Sequence, residues 1–400
     1  MTAAMMVTPD SEAGLAAAII EAQADGRAVQ IEGFGSKAGF LRAVTAERTI
    51  STRHYQGVTL YAPKELVVSA RAGTPLAEIE AMLAGAGQYL SAEPPHYGFL
   101  RAGGAREQSL GGVVACNLSG PRRIAWGALR DQVLGVRAIT GRGEIMRSGG
   151  RVLKNVTGLD LAKLLTGSYG TLALLSEITL KTLPIPEDSG TLLLLGQDAR
   201  AAVSALSRAL GSPFSVTGAA YLPEAAAGSL GYDQAVTAIR IEDVAASVRY
   251  RLGALAAMFA QAAAIEILDR ERSMALWAGI RDAVPLVVGA DSMVWRVSVA
   301  PSHGSAILAR AQALGLDGYL DWGGGLVMVA GPAREAAMRG LTEAVRAVGG
   351  GWWLLQAPEA MRARWDCLPE ETPALSLIRK RVQAVFDPTG VFAPGKLYAA

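Results

Sequence analysis

The chain has 400 residues, 51% of them hydrophobic, enough to bury a large core and, by length, to form two domains. Its 38 Lys and Arg nearly balance 36 Asp and Glu, and no long block of one sign occurs, so charge gives no basis for nucleic acid or an anionic membrane as a partner. With only Cys116 and Cys367, the chain lacks the thiolates for an iron–sulfur cluster of its own and any disulfide framework, which fits a reducing compartment.

Residues 1–10 lack the charged and apolar regions of a signal peptide. Asp10 and Ser11 then precede Leu15, Ile19 and Ile20, which predicts a capped amphipathic helix. A short strand over 29–31 runs into Gly33-Phe34-Gly35-Ser36-Lys37-Ala38-Gly39. Strands are expected at 58–61 and 66–70 around the Pro63-Lys64 turn. Gly73-Thr74-Pro75 opens a helix to residue 83, with Thr74 as its cap and Pro75 at its first position. A second glycine turn follows, Gly111-Gly112-Val113-Val114-Ala115-Cys116-Asn117-Leu118-Ser119-Gly120. A hairpin is predicted over 133–140 and 144–147, then a short helix at 159–165 and an apolar strand at 172–183.

Leu183-Pro184-Ile185-Pro186-Glu187-Asp188-Ser189-Gly190 breaks the pattern and marks the domain boundary. Beyond it, strands at 191–195, 214–221, 235–241, 293–299 and 326–329 alternate with helices near 199–210, 243–260 and 333–348, as in an α+β unit with one antiparallel sheet. The Ala-rich stretch 251–268 is interrupted by Arg251, Gln261 and Glu266 and is too polar to span a bilayer. A helix near 375–386 leads to Phe386-Asp387-Pro388 and Pro394-Gly395-Lys396. No internal repeat stands out.

Gly33-x-Gly35-x-x-Ala38 fits the G-x-G-x-x-A pattern of Rossmann domains. That fold, however, wants a well-formed helix after the turn and an acidic residue ending the next strand; here only a short segment, 40–44, follows, and Glu47 lies too close. Two distant glycine turns instead suggest main-chain N–H groups converging on one diphosphate, because glycine lets the backbone approach without a Cβ. Between and after them come Tyr61-Ala62-Pro63-Lys64, Gly127-Ala128-Leu129-Arg130-Asp131, Gly149-Gly150, Lys154-Asn155, Gly158-Leu159-Asp160-Leu161 and Gly167-Ser168-Tyr169-Gly170-Thr171. This ordered set, with the C-terminal motif, resembles the FAD-binding domain shared by the vanillyl-alcohol-oxidase and p-cresol-methylhydroxylase (PCMH-type) flavoproteins. Within that class the chain is similar to the FAD-binding E subunits of bacterial glycolate oxidase.

The resemblance implies an α+β fold: a PCMH-type FAD-binding domain of two α+β subdomains over 1–186, an α+β cap over 187–355, and a segment, 356–400, returning to the FAD domain. It implies that Gly33, Phe34, Gly35, Ser36, Lys37 and Ala38, with Gly111, Gly112, Asn117, Ser119 and Gly120, hold the FAD diphosphate, and that Asp131, Gly170 and Ile178 line the adenosine or flavin. It also implies a catalytic flavin subunit and an iron–sulfur subunit as partners, a small 2-hydroxy acid (glycolate) as substrate of the complex, and a cytoplasmic protein that reaches the inner membrane only through those partners.

The first glycine loop contains neither His nor Cys, so FAD is expected to be held noncovalently. His54, His96 and His303 are the three histidines; Cys116 reads as a small buried thiol. Related dehydrogenases carry a histidine-rich metal site in the cap, where this chain has Asp321-Trp322-Gly323-Gly324-Gly325, so no metal is expected. On the strand 293–299, Arg296 alternates onto one face with Val294 and Ser298 and is the one candidate for binding a substrate carboxylate. Either the FAD serves electron transfer or assembly inside a glycolate oxidase complex, or the chain alone oxidises a small hydroxy acid.

Overall fold

The computed structural model describes residues 5–97, 107–150, 158–261, 264–286, 289 and 291–399. Lys154 and Asn155 lie outside them.

The N-terminal half holds two sheets. Arg48–Ser51 sits between Met5–Val7 and Val29–Glu32 in a parallel sheet. Helix Glu12–Ala24 covers it, its N-terminus capped by the Ser11 hydroxyl, which accepts from Gly14 N–H at 3.2 Å. Leu15 and Ile19 point inward and are fully buried with Val29, Ile50 and Phe392. The second sheet is antiparallel, in the order Val58–Ala62, Val67–Arg71, Leu174–Lys181, Val133–Ile139, Ile145–Gly149. Its central strands alternate, burying one apolar face through Val68, Ala70, Val136, Ala138, Ile178 and Leu180 in the core that helices Leu76–Gly85 and Leu110–Ala115 also enter.

The second half is one eight-stranded antiparallel sheet: Ala264–Leu268, Asp188–Leu195, Val236–Asp243, Gly218–Leu222, Asp317–Asp321, Leu326–Pro332, Ser292–Ser298, Gly351–Gln356. It is two βαββαβ units side by side, the first built on helices Ala199–Leu210 and Ala245–Phe259, the second on Pro301–Ala313 and Glu335–Ala347. They join through a single pairing, Tyr221 with Leu320. The C-terminal helix Pro373–Phe386 then leads the chain back to the first sheet, where Val29 N–H donates to Val391 O and Ala393 N–H to Val29 O, both at 2.8 Å.

Three expectations need correction. The repeat is present in the backbone although the sequence shows none. Asp188, Ser189 and Gly190 are not turn residues but begin a strand, because Asp243, Glu242 and Ile241 pair with them. Thr74 does not cap the following helix: its hydroxyl accepts from Gly57 N–H at 2.9 Å, and the helix starts at Leu76 with Pro75 at the cap position.

Candidate functional site

Strand Val29–Glu32 delivers the first glycine loop against the N-terminus of helix Leu110–Ala115. A Cβ on Gly33 would fall 2.1 Å from Ser109 Oγ and 2.5 Å from Ser109 Cβ, and one on Gly111 would fall 2.8 Å from Ala72 Cβ. Only glycine fits at either place. Ser109 caps this helix, its hydroxyl accepting from Gly112 N–H at 3.2 Å. The two segments face each other across an open cleft lined by Gly33, Phe34, Gly35, Ser36, Lys37, Ala38, Gly111, Gly112 and Gly170 among the residues expected from sequence, and also by Cys116, Tyr169, Ala393 and Lys396. Among the described residues, no acceptor engages the N–H groups of Phe34, Ser36 and Lys37. Such a row of turn amides suits a phosphate group.

Two lysines border this cleft. Lys37 Nζ donates to Gln108 Oε1 at 2.6 Å and Ser36 Oγ at 3.0 Å, and burial lowers its pKa to about 8. The Gln108 amide is oriented by its own donation to Pro95 O at 2.9 Å. Lys396 Nζ reaches Arg42 O at 3.4 Å and is lowered to about 8 by burial and then by Arg362. Between them the Cys116 thiol is pushed up to about 11 by burial, the lysines only partly opposing this, so it stays neutral at physiological pH. Tyr169 and Gly170 are consecutive residues at positive φ, 55° and 71°, and Tyr169 N–H donates to Ala115 O at 2.8 Å.

Other expected residues stand behind the cleft rather than in it. Asn117 Oδ1 accepts from Arg130 N–H and Ser119 Oγ from Leu129 N–H, both at 2.9 Å. Asp131 accepts from Ala128 N–H at 2.8 Å, capping a short turn of helix. Gly120 N–H donates to Ala92 O at 2.9 Å. Ile178 is fully buried in the sheet opposite Ala70 and Val136.

Arg296 makes no ion pair among the described residues. Its guanidinium stacks on Trp322 at 5.1 Å and on Trp353 at 5.2 Å, and Arg123 stacks on Trp322 at 4.6 Å. Burial and then Arg296 lower the Arg123 pKa. Trp322 itself donates from Nε1 to Gly120 O at 3.1 Å, tying the large sheet to the second glycine segment. Two arginines that form no ion pair among the described residues make this wall of the molecule suited to an anion. His96 pairs with Glu80 at 3.4 Å, His54 is exposed in a turn, and His303 lies on helix Pro301–Ala313. Among the described residues no group of three or more His, Cys, Asp or Glu is placed to hold a metal ion.

Sequence reasoning missed Ser109, Gln108 and Arg123, and also a buried ion network. Arg122 and Glu93 on the N-terminal side interlock with Arg240 and Glu242 on the large sheet. Beside it Asp321 is buried, and burial pushes its carboxyl up to about 7 against the 2.7 Å bond it accepts from Trp322 N–H. Between its ordinary 3.8 and about 7 the unfolded chain ionises while the folded chain keeps the proton, so stability falls as pH rises through that window and is flat above it. Asp321→Asn, which keeps the capping oxygen, is expected to remove this slope and to raise stability at pH 7; urea denaturation of both forms between pH 5 and 8 checks it.

The sheets and the glycine-lined cleft together define an FAD-binding α+β flavoprotein. Residues 3–149 match the FAD binding domain family. The p-cresol methylhydroxylase structure superposes with a TM-score of 0.77 at 12% identity, covering 98% of this chain and 88% of that one, and an alkyldihydroxyacetonephosphate synthase structure with 0.68 at 17%, covering 98% and 77%; these likenesses show the fold. Glycolate oxidase subunit GlcE of Escherichia coli is 35% identical over 382 residues, 95% of each chain. The chain belongs to this glycolate oxidase subunit family of FAD-linked oxidoreductases.

Proposed function

We propose that the chain is the FAD-binding subunit of a glycolate oxidase, with FAD held noncovalently between residues 33–38 and the Gly111-Gly112 turn, a FAD domain over 1–186, and a cap over 187–355. The reading rests on one observation: two glycine segments about 75 residues apart in sequence meet across one cleft, with unengaged amides and Lys37 facing it. FAD, when bound, supplies the two-electron acceptor for oxidation of a 2-hydroxy acid. The chain's own residues bind and orient: the amides and Lys37 take the diphosphate, Gly170 and Tyr169 wall the cleft, and Arg296 takes a carboxylate. The neutral Cys116 thiol and the absence of histidine from the cleft lining favour a noncovalent cofactor.

The partners on this reading are a catalytic flavin subunit and an iron–sulfur subunit, with the assembly cytoplasmic and touching the inner membrane through them. No described helix is long and apolar enough to cross a membrane.

The test is anaerobic addition of glycolate to the purified chain and to the whole oxidase. Bleaching of flavin only in the complex supports the subunit role; bleaching in the chain alone, lost in Arg296→Ala, supports independent turnover. The second reading is favoured by Arg296 and Arg123, which stack on Trp322 and form no ion pair among the described residues. Lys37 adds a pH signature. Its charged form favours the diphosphate, so FAD affinity should be level below pH about 8 and decline above it; a pH series of FAD titrations, repeated on Lys37→Met, in which the decline disappears, checks this.

A further inference from the structure

The C-terminal helix Pro373–Phe386 is held to the body at few points. Phe386 is buried at its end, Thr372 caps its start, and Arg379 pairs with Glu371 at 2.8 Å and stacks on Tyr398 at 4.7 Å. Elsewhere it leaves large apolar side chains in water: Leu375 is 57% exposed, Leu377 52%, Ile378 57% and Val385 71%. Leu375, Ile378, Val382 and Val385 recur at three- and four-residue steps, the spacing of a seam between helices. Beneath lies an open groove of about 640 Å³, whose other wall includes Leu172, Trp353, Leu368 and Leu397. The groove ends at Tyr169, Ala393 and Lys396, which also line the cofactor cleft.

We infer that this groove seats an apolar segment, flanked by acidic residues, of a partner subunit of the oxidase. The inference rests on the subunit reading above and adds where the partner sits. Lys380 and Arg381 are exposed on the helix and take part in no ion pair among the described residues, so they complement acidic flanks. The residues shared with the proposed cofactor cleft would bring the partner next to bound FAD. A bilayer is disfavoured, because Leu375, Ile378 and Val382 wall a concavity that a membrane surface does not enter, and two unpaired cations are a weak polybasic signal.

The test is Leu375→Glu/Ile378→Glu in the tagged full chain, isolated from cells that make the whole oxidase. Both positions are exposed, so the variant should keep the wild-type melting temperature and FAD content. The expected result is a drop of about tenfold or more in the catalytic and iron–sulfur subunits that co-purify, measured by mass spectrometry, with Leu375→Met/Ile378→Met retaining them. Wild-type partner stoichiometry in the glutamate variant overturns the inference alone, as does a variant that loses only self-association or binding to anionic vesicles. A wild-type chain that brings down neither subunit overturns both the inference and the subunit reading.

Discussion

Gly33→Ala is expected to weaken FAD binding by about tenfold or more while leaving the secondary structure intact. The added methyl would lie 2.1 Å from Ser109 Oγ and 2.5 Å from Ser109 Cβ. The hydroxyl could rotate away, but the Cβ is fixed to the backbone of the helix cap, so the loop and the helix must separate. Overpacking of this kind costs about 1–3 kcal/mol, and tenfold in affinity is about 1.4 kcal/mol. The strain falls on the contact that sets the spacing of the two amide-bearing segments, and Ser109 also caps Gly112 N–H. Gly253→Ala is the control: it lies in helix Ala245–Phe259 with nothing within 4 Å of the new methyl. Flavin-fluorescence titration of apo-protein should separate the two. Equal affinities in wild type and Gly33→Ala would mean that the loop does not hold the diphosphate.

Arg240→Met should destabilise the fold by about 3–5 kcal/mol. Arg240 donates to Glu93 at 3.2 and 3.1 Å and lies 3.5 Å from Glu242, while Arg122 binds Glu242 at 2.6 and 2.9 Å and Glu93 at 3.0 Å. Two positive and two negative groups balance in a buried square, and Arg240 also stacks on Trp277 at 4.5 Å. Removing one arginine leaves a net buried negative charge at the junction between the first half and the large sheet. Urea denaturation measures the loss, and Glu93→Gln in the same background should restore part of it by cancelling the unpaired charge. A loss below about 1 kcal/mol would place the network with surface ion pairs. Acid should act on the same square. Burial alone would raise the Glu242 carboxyl, but Arg240 and Arg122 hold it down at about 2. Its contribution is therefore complete above its ordinary 4.5 and is lost as pH falls toward about 2.

Much of this site was legible because its parts are local. A glycine between an apolar strand and a polar loop announces a close backbone approach, and the order of such turns along the chain distinguished this fold from a Rossmann unit. The helix expected near 199–210 forms as Ala199–Leu210, where Asp198 caps it and its apolar face is buried. The repeat of the large sheet was invisible because each half keeps only alternation and burial, which many sequences satisfy, and no side chain must recur. Strands Asp317–Asp321 and Gly351–Gln356 and helices Arg270–Arg281 and Pro301–Ala313 escaped notice for the same reason. The ion network was missed because Glu93, Arg122, Arg240 and Glu242 are joined only by the fold: nothing in sequence pairs an arginine with a glutamate 147 positions away. Asn117, Ser119 and Asp131 were expected at the cofactor from the family resemblance; in the structure their side chains accept from Arg130, Leu129 and Ala128 N–H and close the second glycine segment.

The most direct measurement is FAD uptake by the apo-protein, titrated to saturation and then precipitated with acid. One flavin per chain is predicted, bound tightly enough to give a yellow protein and released into the supernatant on denaturation. Folded protein that stays colourless in excess FAD, or a flavin that remains with the acid pellet, would contradict a noncovalent cofactor gripped between the two glycine segments.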